Sequence, residues 1–298
     1  MDSSARTADL SHQFGSRDSL HARWWRFVRA YPLLLSCSLV LLCFAALAIF
    51  APAVSPYDPN EQSLADSLSA PSALHWLGTD QGGRDILSRT IFGARVSMSV
   101  GFGAMVLGGA LSTLVGGVSG FVGGWFDSIL QRIVDAFLSI PSLIFLMTLL
   151  SIVGTSLTTL IVSIGLWSVV ASCRTVRSSV VTVAQRPFVE SAKAVGAAPA
   201  RVFFAHVLPN VVAPCIVVST LIFVYAVLTE AALSFLGFGI APPAASWGGM
   251  LSGDSRALML VAPWIGLSPG IALSIVVIAV NLLGDDLRDF LDPSLRGR

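Results

Sequence analysis

Long stretches without a charged residue are the feature that most constrains this chain. Among its 298 residues, five such stretches each run for 28 to 38 residues: 30–57, 96–126, 136–173, 202–229 and 257–284. About 20 apolar residues of helix cross a bilayer core of about 30 Å. Charged residues make up only 12% of the chain, about half the share in a soluble domain. The sequence therefore predicts an all-α integral membrane protein.

The number of membrane crossings follows from the lengths of these stretches. The longest, 136–173, is nearly twice as long as one crossing needs at about 1.5 Å per residue, so we divide it at Gly154-Thr155-Ser156, where small residues permit a turn. We predict six transmembrane helices near 33–53, 98–122, 136–153, 157–173, 211–232 and 262–283. A cleaved signal peptide is the alternative for the first span, but its leader and its apolar run are both too long.

Basic residues set the predicted orientation. The compartment that holds both termini has 14 of the 18 Lys and Arg residues, so both termini are predicted to be cytoplasmic. A net charge of +1 gives no indication of nucleic-acid binding. The predicted regions are a cytoplasmic arm (1–32), the first helix (33–53), an extracytoplasmic loop (54–97), a five-helix core (98–284) with a cytoplasmic loop at 174–210, and a cytoplasmic tail (285–298).

Small residues recur every fourth position along the second predicted span. A stripe of this kind lets a neighbouring helix approach closely in lipid, where packing drives helix association. We expect it to be a helix-packing surface without chemistry. Its members are Gly108, Ser112, Gly116, Gly120 and Gly124.

Two further segments carry charge close to the membrane. Glu230 ends the fifth predicted span, and an acid at this depth is a candidate for the pathway or its gate. The alternative is that Glu230 faces interfacial water at the end of its helix. Residues 83–95 form an amphipathic stretch, which we expect to lie along the outer membrane interface or, as the alternative, to meet a binding protein.

The cytoplasmic loop contains the most informative local pattern. Pro187 is placed to open a short helix that Gly196 ends in a left-handed conformation. Pro199 opens a second helix, which we expect Pro209 to end. Helices of about ten residues are marginal alone, so this pair is predicted to dock against another protein. The apolar faces comprise Phe188, Val189, Ala192 and Val195 on the first helix, and Val202, Phe203 and His206 on the second.

Four blocks of sequence carry a family resemblance that covers about residues 30–296. The loop has ESA at 190–192, then Gly196, then HVLP at 206–209. The other blocks are HWLGTD, GRDILSR and GARVS within 75–97, LSFLG at 233–237 followed by PP and SWG, and NLLGDDLRD at 281–289 followed by LDP. Together they resemble C-type permease subunits of ABC importers in the dipeptide, oligopeptide and nickel subfamily. Ser191 stands where the family's "EAA" loop usually has alanine.

The resemblance implies a type I ABC importer permease fold in a bacterial or archaeal cytoplasmic membrane. The chain would form half of a path for dipeptides or oligopeptides, beside a homologous second permease. Two ATPase subunits or domains would bind ATP and Mg²⁺, an extracytoplasmic binding protein would deliver the substrate, and the chain itself would bind no cofactor. Nickel chelates, glutathione and haem are alternative cargoes. The ATPase-coupling residues would be Glu190, Ala192, Gly196, His206, Leu208 and Pro209.

Other function classes find little support in the sequence. A Walker A loop needs a Gly-Lys pair, and the only lysine, Lys193, follows Ala192. The four cysteines lack metal-ligand spacing, so no metal site is predicted. A self-sufficient secondary transporter is the alternative, but it would be expected to carry ionisable residues near mid-membrane.

Overall fold

The computed structural model describes residues 32–291, and about three quarters of them belong to helices. Five of these helices are long and apolar enough to cross a membrane. In chain order the helices are α1 (Pro32–Ile49), α2 (Ala51–Val54), α3 (Ile86–Val122), α4 (Gly124–Leu138), α5 (Ser142–Val153), α6 (Leu157–Ala184), α7 (Pro187–Ala194), α8 (Pro199–Arg201), α9 (Val212–Phe235), α10 (Trp247–Met250), α11 (Asp254–Leu258) and α12 (Trp264–Leu291). The predicted cytoplasmic arm lies almost wholly outside the described residues, as does the end of the predicted tail.

The sixth predicted crossing is a bent pair of helices. The axes of α4 and α5 meet at 83° across a break that contains Pro141. Pro141 precedes the first residue of α5, where a fixed φ and a missing N–H favour a new helix start. At about 1.5 Å per residue, α5 alone is shorter than the bilayer core. The prediction of one unbroken helix near 136–153 is therefore wrong, although the count of six holds when the pair is taken as one span.

The prediction of an interfacial segment at 83–95 is also wrong. Asp85 caps α3 by accepting a hydrogen bond from the Ser88 N–H at 2.8 Å, and α3 then runs unbroken to Val122, across the predicted boundary at 97. Ile86 and Ile91 are buried. The amphipathic pattern reflects packing against the rest of the protein, because Ile86 packs with residues before and within α12 and does not face lipid.

The turn predicted at Gly154 is confirmed. α5 ends at Val153, Gly154 has φ +88°, and Ser156 begins α6 with a capping box to Thr159. α6 then continues to Ala184, eleven residues beyond the predicted end of its span at 173. α12 likewise crosses the predicted start of the tail at 285 and reaches Leu291.

The small-residue stripe of α3 packs against α6. A Cβ atom added at Gly108 would lie 2.9 Å from the Gly165 carbonyl oxygen, and one added at Gly120 would lie 2.8 Å from that of Arg177. Gly116 approaches the Cys173 carbonyl more closely still, and Ser112 is fully buried. Gly124 departs from the prediction. It lies beyond the end of α3, at φ +60° with open space around it, because the chain turns there into α4.

Candidate functional site

α7 is a short helix held on the end of the bundle by its buried side. Val189 is fully buried and Ala192 partly buried, in an apolar cluster with Val202 and Val207. Pro187 opens α7, as predicted. Gly196 follows it at φ +81°, donating to the Lys193 carbonyl at 3.0 Å while the Ala197 N–H reaches the Ala192 carbonyl at 3.2 Å. These two bonds form a Schellman motif, the helix ending expected for a left-handed glycine.

The exposed side of α7 presents apolar and charged groups together. Phe188 and Val195 point outward, and Val195 is 85% exposed. The prediction that these two residues share one face with Val189 and Ala192 is therefore only half right. Glu190 is exposed and forms no ion pair with a described side chain, including that of Lys193 three residues later.

The chain after Pro199 differs from the predicted separate helix. The backbone stays helical from Pro199 to Phe235, passing through a π-helical stretch (Val202–Val207) and a 3₁₀ stretch (Leu208–Val211) before α9. Pro209 does not end this helix, because the changed hydrogen-bond registers accommodate its missing N–H. His206 and Leu208 are half-buried and Pro209 is exposed. A continuous helical path to α9 thus begins at Pro199, directly after the turn that ends α7.

Two ion pairs that the sequence did not reveal tie α4 to α6 near α7. The Arg177 guanidinium contacts the Asp127 carboxylate, with its Nε 2.5 Å from Oδ1. Arg174 contacts Asp135 one turn of α6 earlier. The spacing of the two acids along α4 is the only sequence signal that could have indicated this arrangement.

Glu230 lies inside the protein, so the alternative of interfacial water is wrong. Its side chain is fully buried in α9. Ser97 of α3 donates to one carboxylate oxygen at 3.1 Å, and Ser234 donates to the other at 2.8 Å. The Ser246 hydroxyl lies 3.4 Å from that of Ser234. Glu230 thus joins α3, α9 and the segment that leads into α10.

α10 sits tightly against this cluster. Trp247 is fully buried, and its indole N–H donates to the Thr90 carbonyl of α3 at 3.0 Å. A Cβ atom at Gly248 would collide with the backbone of Ala231. The short helix α10 is therefore packed between α3 and α9, next to Glu230.

A cavity of about 410 Å³ is lined in part by Ser234, whose hydroxyl donates to Glu230. Its walls include Asp80, Arg84 and Arg89 from the segment around the start of α3. Among the His, Cys, Asp and Glu side chains that the structure describes, no group of three could hold a metal ion.

The chain is similar to known membrane transport proteins along most of its length. The family described as binding-protein-dependent transport system inner membrane component matches residues 109–297. The family described as the N-terminal TM domain of oligopeptide transport permease C matches residues 19–71.

Individual relatives agree with these families. The dipeptide transport system permease protein DppC of Alkalihalophilus pseudofirmus is 41% identical over 258 residues, which cover 87% of this chain and 84% of that protein. The glutathione transport system permease protein GsiD of Escherichia coli is 36% identical over 282 residues, which cover 94% of this chain and 92% of that protein. The helical membrane fold, the matched families and these relatives together place the chain among the binding-protein-dependent inner membrane transport components, as a C-type permease subunit of a bacterial ABC importer in the dipeptide, oligopeptide and nickel subfamily.

Proposed function

We propose that this permease forms half of a path that imports dipeptides or oligopeptides, with both termini in the cytoplasm. A homologous second permease would complete the path, and a binding protein outside the membrane would deliver the cargo. Two partner ATPase subunits or domains would bind ATP and Mg²⁺ and supply the energy. The relative named as a dipeptide permease supports this cargo. The relative named as a glutathione permease makes glutathione, itself a tripeptide, the second candidate.

The observation that carries the proposal is the two-sided character of α7. Its buried side, with Val189, is part of the apolar core, whereas Phe188, Glu190 and Val195 lie exposed on the other side. Exposed apolar side chains beside charged ones are typical of a surface that docks another protein. A partner ATPase seated on this surface could move α9 through the continuous helix that starts at Pro199.

Uptake by the reconstituted complex tests the proposal. The chain, its second permease and the ATPases are assembled in vesicles, the binding protein is added outside, and uptake of a labelled dipeptide or of glutathione is measured. We expect uptake that needs both ATP and the binding protein. Uptake driven by an ion gradient without any ATPase would contradict the proposal.

Variants of the α7 surface test the docking step. Val195→Glu places a charge on the exposed side of α7 and should weaken ATPase binding and uptake together, since a charge in an apolar contact must lose water without a partner. Val261→Glu is the matched control, because Val261 is similarly exposed but lies between α11 and α12, far along the chain from α7. Equal losses in the two variants would contradict a docking role for α7.

A further inference from the structure

The cavity beside the Glu230 cluster gathers polar groups from distant parts of the chain. Arg84 precedes α3, Thr155 belongs to the turn between α5 and α6, and Ser252 and Ser255 come from the segment around α11. Ser234 also lines it, and the same hydroxyl donates to the buried Glu230 at 2.8 Å. The cavity therefore reaches the end of α9, next to the Glu230 cluster.

The described lining of this cavity has more positive than negative charge. Asp80 is the only acid among the lining side chains that the structure describes, and two arginines face it. The Asp80 Oδ2 atom accepts from Arg84 Nε at 2.7 Å and lies 3.6 Å from Arg89 Nε. The other carboxylate oxygen is occupied by the backbone N–H groups of Gly82 and Arg84. The single Asp80 carboxylate is thus shared between the guanidinium groups of Arg84 and Arg89.

Part of this hydrogen-bonding capacity is unused. Arg89 donates through Nη1 at 2.9 Å to the carbonyl of Pro59, which does not line the cavity. The terminal nitrogens of Arg84 form no hydrogen bond with any residue whose side chain the structure describes. The buried side-chain oxygen of Gln81 also has no partner among those residues. Arg84, which lines the cavity, therefore offers free donors to an anion.

We propose that this cavity binds the carboxylate end of the imported peptide. The Arg84 guanidinium would hold the carboxylate through charge-assisted hydrogen bonds. This contact is with a main-chain group, so it recognises a free C-terminus whatever the side chains are. This inference rests on the proposed function, which supplies the peptide cargo and the outward orientation of the cavity.

Comparing an acid with its amide tests the site directly. Uptake of a labelled dipeptide and of the same dipeptide with an amidated C-terminus is measured in vesicles with the complete transporter, at concentrations that occupy the binding protein equally. We expect the wild type to prefer the acid. Arg84→Gln should lower the acid-to-amide uptake ratio about tenfold, the effect of one charge-assisted hydrogen bond.

Matched variants separate recognition from structure. Arg84→Lys keeps the charge and should preserve the ratio. Arg256→Gln should preserve it as well, because Arg256 is exposed on α11 and does not line the cavity. If Arg84→Gln does not assemble, Gln81→Glu should lower the ratio through repulsion of the cargo carboxylate. The proposal is overturned if the acid-to-amide uptake ratio of Arg84→Gln equals that of the wild type. Where Gln81→Glu is used in place of Arg84→Gln, an unchanged ratio in that variant overturns it.

A phospholipid headgroup offers the same kind of oxyanion, so the vesicles are prepared with and without phosphatidylglycerol. One contrary result is that Arg84→Gln lowers uptake only in vesicles that contain phosphatidylglycerol, and equally for acid and amide. That result would assign the cavity to a lipid phosphate and overturn the proposal. Absence of ATP-driven peptide uptake by the wild type would refute the proposed function, and this site with it. If the wild type imports peptide but the acid-to-amide uptake ratio does not depend on Arg84, only the proposed site is refuted.

Discussion

The guanidinium of Arg177 on α6 clamps the carboxylate of Asp127 on α4 through two parallel hydrogen bonds. Nε reaches one oxygen at 2.5 Å and Nη2 reaches the other. Ser119, close to the end of α3, donates to the same carboxylate. Three helices therefore meet at one acid near the surface that carries α7, and planar two-point pairing makes this contact strongly directional.

Removing this clamp should cost stability. We expect Arg177→Gln to lower the free energy of unfolding by about 1–3 kcal/mol, because the largely buried Asp127 loses its charged partner. Arg174→Gln is the control. It breaks the pair with Asp135, in which both side chains are about half exposed, and a pair of that kind contributes about 1 kcal/mol or less. Thermal unfolding of the purified chain in detergent measures both, and equal shifts would contradict the assignment.

The contact between α3 and α6 depends on the absence of a side chain at Gly116. An alanine there would push its Cβ against the Cys173 backbone carbonyl, and a backbone group cannot rotate aside. We expect Gly116→Ala to destabilise the protein by about 1–3 kcal/mol, as overpacking does in tight cores. Gly270→Ala in α12 is the matched control, since open space surrounds that position and alanine favours helix by up to about 1 kcal/mol. The unfolding midpoint of Gly116→Ala should fall below that of the wild type, whereas the midpoint of Gly270→Ala should rise or fall clearly less.

Glu230 should act mainly through its hydrogen bonds. Glu230→Gln keeps the shape of the side chain and an oxygen that accepts from Ser97 or Ser234, so we expect stability to change by about 1 kcal/mol or less. Glu230→Ala leaves both hydroxyl groups without their acceptor and opens a cavity, and we expect a loss of about 2–5 kcal/mol. Unfolding of the two variants in detergent tests this difference. Strong destabilisation by glutamine would show that the negative charge itself is needed.

How much of this structure could be predicted depends on the range of the interactions involved. Charge-free runs located the membrane crossings because the bilayer acts on each segment separately. Pro187, Gly154 and Gly196 fixed their turns through local backbone geometry. The charges of Arg84 and Arg89 misled the prediction for 83–95, because Asp80 pairs with both arginines and the residues that cover Ile86 come from distant segments.

The candidate site was predicted only in part for the same reason. Glu230 stood out by its position, but its partners Ser97 and Ser234, and Ser246 next to Ser234, are hydroxyl residues that have no distinctive sequence pattern. Their approach depends on how α3, α9 and α10 pack. The passage of the helix through Pro209 was also unpredictable from propensity, since the π and 3₁₀ turns that accommodate it arise from packing in the Val202–Val207 region.

Gly196 offers the sharpest test of coupling. It sits at φ +81° between α7 and α8, where a β-branched residue is strongly disfavoured. We expect Gly196→Val to leave membrane insertion intact, because no transmembrane helix contains this position, but to displace α7 relative to α8 and α9. Partner ATPases would then hydrolyse ATP without driving uptake. Gly196→Asn is the control, since asparagine tolerates the left-handed region, and it should retain most coupled transport. Uptake and ATP hydrolysis measured together in the assembled complex decide the matter: normal substrate-stimulated hydrolysis with normal uptake in Gly196→Val would refute the coupling role.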